Sequence, residues 1–170
     1  MSKFITFKPI GEILTEADLI TKPQLEVALR DQIYNENMLL GEILALRGWI
    51  KQDTADFFVR EWFKLVNRRA DRPIGFYLNR AGLLSSEDIQ KILAEQRRLS
   101  LRFGDTAVQK GLLKPSTINF FLKYLYPSQL HYFSQDGSKN LRESKEPENK
   151  IITKEDITYW VTLSSQKVTH

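Results

Sequence analysis

The side chains of this chain best equipped to hold a ligand are arginines and glutamines that stand close to glycines. Arg102 carries a planar fork of donors that pairs with two acceptors at once and stacks on flat rings. Gln96 offers both a donor and an acceptor. Arg68, Arg69, Arg72, Arg97 and Arg98 belong to the same basic stretch, and on a shared face such a group would attract phosphates. Residues 60–114 hold 12 basic and 6 acidic groups, a net +6, whereas residues 1–59 hold 6 and 9, a net −3.

Covalent and acid–base chemistry has less to work with. The 170 residues include 2 histidines, His131 and the final His170, and no cysteine. That leaves no disulfide, no thiolate metal site and no cysteine nucleophile. No paired-histidine metal spacing and no nucleophile elbow occurs. Glu87 and Asp88 stand at an expected helix start, where carboxylates favour the helix dipole. The reading is no enzyme, no catalytic residue, no metal and no cofactor. A composition 42% apolar and 27% charged is ordinary for a globular chain. No apolar run approaches the ~18 residues of a membrane span, and the N-terminus lacks a signal-peptide core. A cytoplasmic location is the expectation.

The elements that must position these side chains show themselves as a repeat. Gly11, Gly41, Gly75 and Gly104 each open the same 24-residue pattern, over 9–32, 39–62, 73–96 and 102–125. A short helix comes first. Its stop is at the tenth position, Asp18, Gly48, Gly82 or Gly111, where glycine suits the left-handed backbone that ends a helix and Asp tolerates it. An apolar pair follows, such as Leu19-Ile20 or Trp49-Ile50. Then a second helix starts, with N-caps at Thr21-Lys22-Pro23-Gln24 and Ser85-Ser86-Glu87-Asp88, and with proline in the first turn at Lys114-Pro115. Its apolar residues fall at helical spacing, as in Leu25, Ala28 and Leu29 or Ile118, Phe121 and Leu122. Phe120, Phe121, Tyr124, Tyr126, Tyr132 and Phe133 read as core more readily than as a partner surface.

The expected fold is all-α: tandem helical hairpins in two duplicated pairs, with a small C-terminal helical extension. The first pair spans 1–66 and the second 67–130. Residues 131–150, apolar only at Leu141 between Ser134 and Lys150, read as a linker. Ile151-Ile152-Thr153-Lys154 parallels Leu19-Ile20-Thr21-Lys22 and begins a partial fifth copy in 151–170. Residues 33–38, 63–72 and 97–101 read as spacers.

On these residues the chain resembles the N-terminal domain of the assembly ATPases of type II secretion and type IV pili, in its MshE-type version that binds cyclic-di-GMP. That unit reads Arg-Leu-Gly, two aliphatics, Gly, two more aliphatics and a terminal Gln, and the resemblance covers residues 9–125. It implies a ligand site in the second pair. Gln96 and Arg102 would meet guanine, and Gly75 and Gly104 would let backbone approach it. Ile74 and Phe103 would take the Leu position, with Arg72 beside Pro73. The equivalent residues of the first pair are Ile10, Gly11, Gln32, Leu40 and Gly41, with Pro9 and Leu39 in place of arginines. No GxxxxGK[ST] loop occurs, so this chain is not expected to be the motor.

Two functions are expected from this. The first is a regulatory or adaptor module that binds another protein, a component or regulator of secretion or pilus machinery by the resemblance, since stacked helical hairpins offer extended surfaces. The second is a cyclic-di-GMP receptor acting through the second pair. Nucleic-acid binding through the basic middle rests on charge alone and ranks last.

Overall fold

In a computed structural model, residues 8–68 and 70–127 are described. Among them the chain is entirely helical, without a strand: α1 Ile10–Glu16, α2 Lys22–Tyr34, α3 Leu40–Leu46, α4 Gln52–Arg60, α5 Trp62–Asn67, α6 Ile74–Arg80, α7 Ser86–Leu99, α8 Phe103–Gln109 and α9 Pro115–Leu125. No helix of these is long and apolar enough to cross a membrane. Arg69, His131, Tyr132, Phe133, His170, the expected linker 131–150 and the expected helix within 151–170 lie outside the described residues.

The short helices α1, α3, α6 and α8 stop where the turn residues demand. Asp18, Gly48, Gly82 and Gly111 take φ of 56°, 72°, 68° and 68°. The left-handed step lets the next amide reach back five residues: Leu19 N to Leu14 O at 3.0 Å, Trp49 N to Leu44 O at 3.1 Å, Leu83 N to Leu78 O at 2.9 Å and Leu112 N to Ala107 O at 3.0 Å. These bonds satisfy carbonyls that the helix end would otherwise leave open. Glycine reaches this backbone without a Cβ penalty, whereas Asp18 does so at some cost and recovers it through side-chain bonds.

The second helices begin in two ways. At α2, Gln24 N donates to Thr21 Oγ1 at 3.3 Å and Thr21 N donates to Gln24 Oε1 at 2.7 Å. At α7, Asp88 N donates to Ser85 Oγ at 3.1 Å and Ser85 N donates to Asp88 Oδ2 at 2.9 Å. Both are capping boxes, which satisfy two amides reciprocally. Before α4 and α9 stands a lysine instead, Lys51 or Lys114, and no side chain caps the helix there.

Three spacers differ from expectation. Residues 63–67 are helical, because the chain bends at Glu61 and continues as α5. The bend keeps the ladder, with Leu65 N donating to Glu61 O at 3.0 Å, and brings Trp62 to 4% exposure. Likewise α2 runs on to Tyr34 and α7 to Leu99, so both enter the stretches read as spacers.

The centre of the core is aromatic. Phe57 and Phe58 on α4 meet Phe120 and Phe121 on α9. Centroids lie 6.3 Å apart for Phe57 and Phe121, 6.2 Å for Phe58 and Phe120, and 6.1 Å for Phe58 and Phe121. The Trp62 ring stacks on Phe120 at 4.8 Å. All five rings are nearly inaccessible, and rings of this size dominate the apolar surface a small core removes from water.

Two junctions extend from this core. At one, Thr54 Oγ1 donates to Ala81 O at 2.8 Å and Lys51 Nζ to Gly82 O at 2.9 Å. At the other, Thr117 Oγ1 donates to Ala17 O at 2.9 Å and Lys114 Nζ to Asp18 O at 3.0 Å. In each, the first turn of a long helix caps the carbonyls that end a short one. Beside the second junction, Glu16 receives Lys8 at 2.7 Å, Lys123 at 2.8 Å and the Tyr124 hydroxyl at 2.8 Å. Burial acts to raise its pKa, but these donors outweigh it and bring the carboxyl down to about 2.

Candidate functional site

In the second half, two of the expected ligand residues meet, Gly75 and Phe103. Arg102 is the exposed residue that precedes α8, and its carbonyl accepts from Thr106 Oγ1 at 2.9 Å. Gln96 sits near the end of α7, across the short connection that Ser100 opens with φ 53°. Its Oε1 is shut off from solvent and has no hydrogen-bond donor within reach among the described residues. That matters because a buried acceptor without a donor costs its full desolvation.

Three of the four glycines named by the resemblance, Gly11, Gly41 and Gly75, lie against side chains. A Cβ on Gly75 would stand 2.9 Å from Phe103 Cζ, so the Phe103 ring already lies on this backbone. Gly75 and Gly104 are buried, and Ile74 is half-buried. In the first half, a Cβ on Gly11 would stand 2.5 Å from Leu25 Cδ1 and 3.3 Å from Leu40 Cδ2. One on Gly41 would meet Ala55 Cβ at 2.9 Å and Ile10 Cδ1 at 3.9 Å. Glycine is needed for close packing at Gly41, because Ala55 Cβ cannot swing aside, whereas at Gly11 and Gly75 the contact is the far end of Leu25 or Phe103.

Gln32 differs from Gln96. Its Nε2 donates to Met38 O at 3.2 Å and ties the end of α2 to the approach to α3. Arg47 pairs with Asp31 and stands 5.0 Å from the Trp49 ring, which joins the far end of α3 to α2. Leu39, where the resemblance would want an arginine, is exposed, as are Leu29, Ile33, Tyr34 and Leu46.

Arg72 is held from its backbone. The Tyr126 hydroxyl donates to Arg72 O, and the Tyr77 hydroxyl donates to Asp71 Oδ1 at 2.8 Å. The Tyr77 bond holds the Asp71 carboxyl below its ordinary range. Burial, then Asp71, pushes the Tyr77 hydroxyl up, and burial pushes Tyr126 up further. Of the other basic candidates, Arg98 pairs with Glu95 at 2.5 Å, and Arg68 and Arg97 are exposed. A pocket of about 230 Å³ between α8 and α9 is lined by Asp105, Val108, Gln109, Pro115 and Ile118, and so lies apart from Gln96 and Arg102.

Sequence reasoning passed over the junction residues. Their signal was present, since Lys51-Gln52-Asp53-Thr54 and Lys114-Pro115-Ser116-Thr117 share Lys and Thr at the same spacing. The tyrosine clamp on 71–72 leaves no such trace.

No protein-family model and no solved structure matches this chain. It is 45% identical over 114 residues to an uncharacterized protein of Picosynechococcus sp. strain PCC 7002, an alignment that takes in 67% of this chain and 62% of that relative. The chain thus spans less than two thirds of the relative it matches.

Proposed function

We propose that the chain is a non-enzymatic adaptor that binds another protein through its first half. In this reading the short and long helices are copies of one hairpin unit, joined into duplicated pairs over 1–66 and 67–130, and the location is cytoplasmic. One observation carries the adaptor reading. Among the described residues, the large apolar side chains that stand exposed all fall between Leu29 and Phe63, with Ile33 70%, Tyr34 86% and Leu46 78% accessible. Single exposed apolar residues are normal, whereas a concentration in one region marks an interaction surface.

The test is capture of partners on the immobilised chain, beside an Ile33→Glu and Leu46→Glu variant. The expected result is a reproducible partner that the variant loses. The same proteins on both would overturn the reading.

A second reading is favoured by Gln96. Its buried Oε1 without a donor is what a half-made base contact would leave, with a guanine N–H as the missing donor. In this reading cyclic-di-GMP binds the second half, and Phe103 must leave Gly75 if backbone is to touch ligand. Calorimetry at physiological salt decides it. Heat that disappears in Gln96→Ala supports the receptor, and absence of heat with folded protein at tens of micromolar removes it.

A further inference from the structure

We infer that the outer face of α2 and the two ends of α3 dock a cationic amphipathic helix of another protein. This rests on the adaptor reading and names the chemistry of its partner.

The face is apolar at helical spacing. Leu29 and Ile33 lie one turn apart on α2, with Tyr34 beside them, and Leu39 and Leu46 lie two turns apart at the start and end of α3. α2 and α3 are tied at both ends of α3, by Gln32 to Met38 and by Asp31 to Arg47. Between them the connection forms an open notch of about 380 Å³ lined by Ile33, Tyr34, Asn35, Glu36, Asn37 and Met38. An apolar stripe beside a notch is what a partner helix needs for one row of anchors.

The rim carries the charge that selects the partner. Glu26 stands three residues before Leu29 on the same stripe, Glu36 lines the notch, and Glu42 lies between Leu39 and Leu46; all three are exposed. Against them stand Lys22, one turn before Glu26 on the same stripe, and Arg30, since Arg47 is occupied by Asp31, which leaves an acidic excess of one. Basic side chains flanking an apolar row would meet this rim favourably. An anionic membrane surface would not.

The second half supplies the contrast. Where the 24-residue pattern places Ile33, Tyr34, Leu39 and Leu46 in the first half, it places Arg97, Arg98, Arg102 and Gln109 in the second. Arg98 is paired with Glu95, and the basic side chains beside it would disfavour a cationic helix, so the same difference sets both attraction and exclusion.

The test is a titration of the isotope-labelled full chain with a synthetic Leu/Lys amphipathic helix of about 18 residues, beside its Leu/Glu counterpart. Expected are amide shifts within residues 26–47 for the Leu/Lys peptide, with binding of the Leu/Glu peptide about tenfold weaker or more. Ile33→Ser with Leu46→Ser should weaken the Leu/Lys peptide about tenfold, because buried apolar anchors carry most of such an affinity. Glu26→Lys with Glu36→Lys should reverse the preference. Equal binding of the two peptides, shifts confined to other residues, or no binding of either would overturn the inference. So would association with vesicles of 3:1 phosphatidylcholine and phosphatidylglycerol. The adaptor reading fails on a different result, which is partner capture unaffected by Ile33→Glu and Leu46→Glu.

Discussion

Where α4 meets the turn at 81–82, Thr54 and Lys51 donate to two carbonyls; where α9 meets the turn at 17–18, Thr117 and Lys114 do the same. The side chains around these bonds differ. Asp18 receives Ser116 Oγ at 2.6 Å and Lys114 Nζ at 3.2 Å, whereas Gly82 has no side chain and faces Asp53. Backbone carbonyls at a helix end need a donor whatever the sequence, so the caps are held constant. The turn side chain is free to vary, provided its neighbour varies with it. The difference teaches which parts of the two halves are structural and which can be given over to separate tasks.

The largest effect belongs to the aromatic centre. Phe121 is 0% exposed and Phe58 is 3% exposed, and they touch each other. Phe121→Ala should cost about 3–5 kcal/mol by urea unfolding, the range for emptying a ring from a core. Phe58→Ala should cost a similar amount if the halves are equivalent there. A cost under about 1 kcal/mol for one beside several for the other would break the comparison at its centre.

The junction threonines come next. Thr54 and Thr117 are each 2% exposed. Valine would fill the same volume and remove the hydroxyl, which leaves Ala81 O or Ala17 O without that donor. Each of Thr54→Val and Thr117→Val should cost about 1–2 kcal/mol, the usual range for a buried partner left unmet. The two sites share no partner, so the double variant should show the sum within about 0.5 kcal/mol. A clear excess would mean that the junctions open as one unit.

The parts of the fold that were legible in sequence are those set within four or five residues. Gly48, Gly82 and Gly111 announce their turns because few other residues tolerate that backbone, and Ser85 with Asp88 announces its cap. Even Asp18 was legible, by its place in the pattern. The junctions were not, because Lys114 and Asp18 lie 96 residues apart and packing at that distance leaves no periodic mark. The bend at Glu61 depends on Trp62 reaching Phe120, which is again a distant contact. At the candidate site, Gln96 and Arg102 were singled out by the resemblance and by their places in the repeat. The Phe103 ring on Gly75 was not, since an aliphatic or aromatic residue at that position reads alike until its rotamer is seen.

The smallest effect is also the most discriminating, because a carboxylate should stabilise one turn and destabilise the other. Ser116, then Lys114, holds the Asp18 carboxyl below its ordinary range. A carboxyl lowered in the folded state contributes stability above its unfolded pKa, and loses it as pH falls through the folded value. Its side chain is 41% exposed, so solvent discounts the pair to under about 1 kcal/mol. Glycine would relieve the left-handed backbone by a similar amount. Asp18→Gly should therefore match the parent within about 1 kcal/mol at pH 7 and become the more stable of the two as pH drops below about 4. Gly82→Asp places a carboxylate beside Asp53, with a new Cβ 3.2 Å from Asp53 Cβ. Like charges disfavour ionisation, so the new carboxyl's pKa rises and its cost shrinks as pH falls, although Lys51 offsets part of it. Adding Asp53→Ser supplies the hydroxyl that Ser116 provides at the other turn, and should recover most of the loss. Chemical unfolding between pH 3 and pH 7 reads all four proteins; both single variants should gain on the parent as pH falls, and opposite trends would mean that the turn charges do not distinguish the junctions.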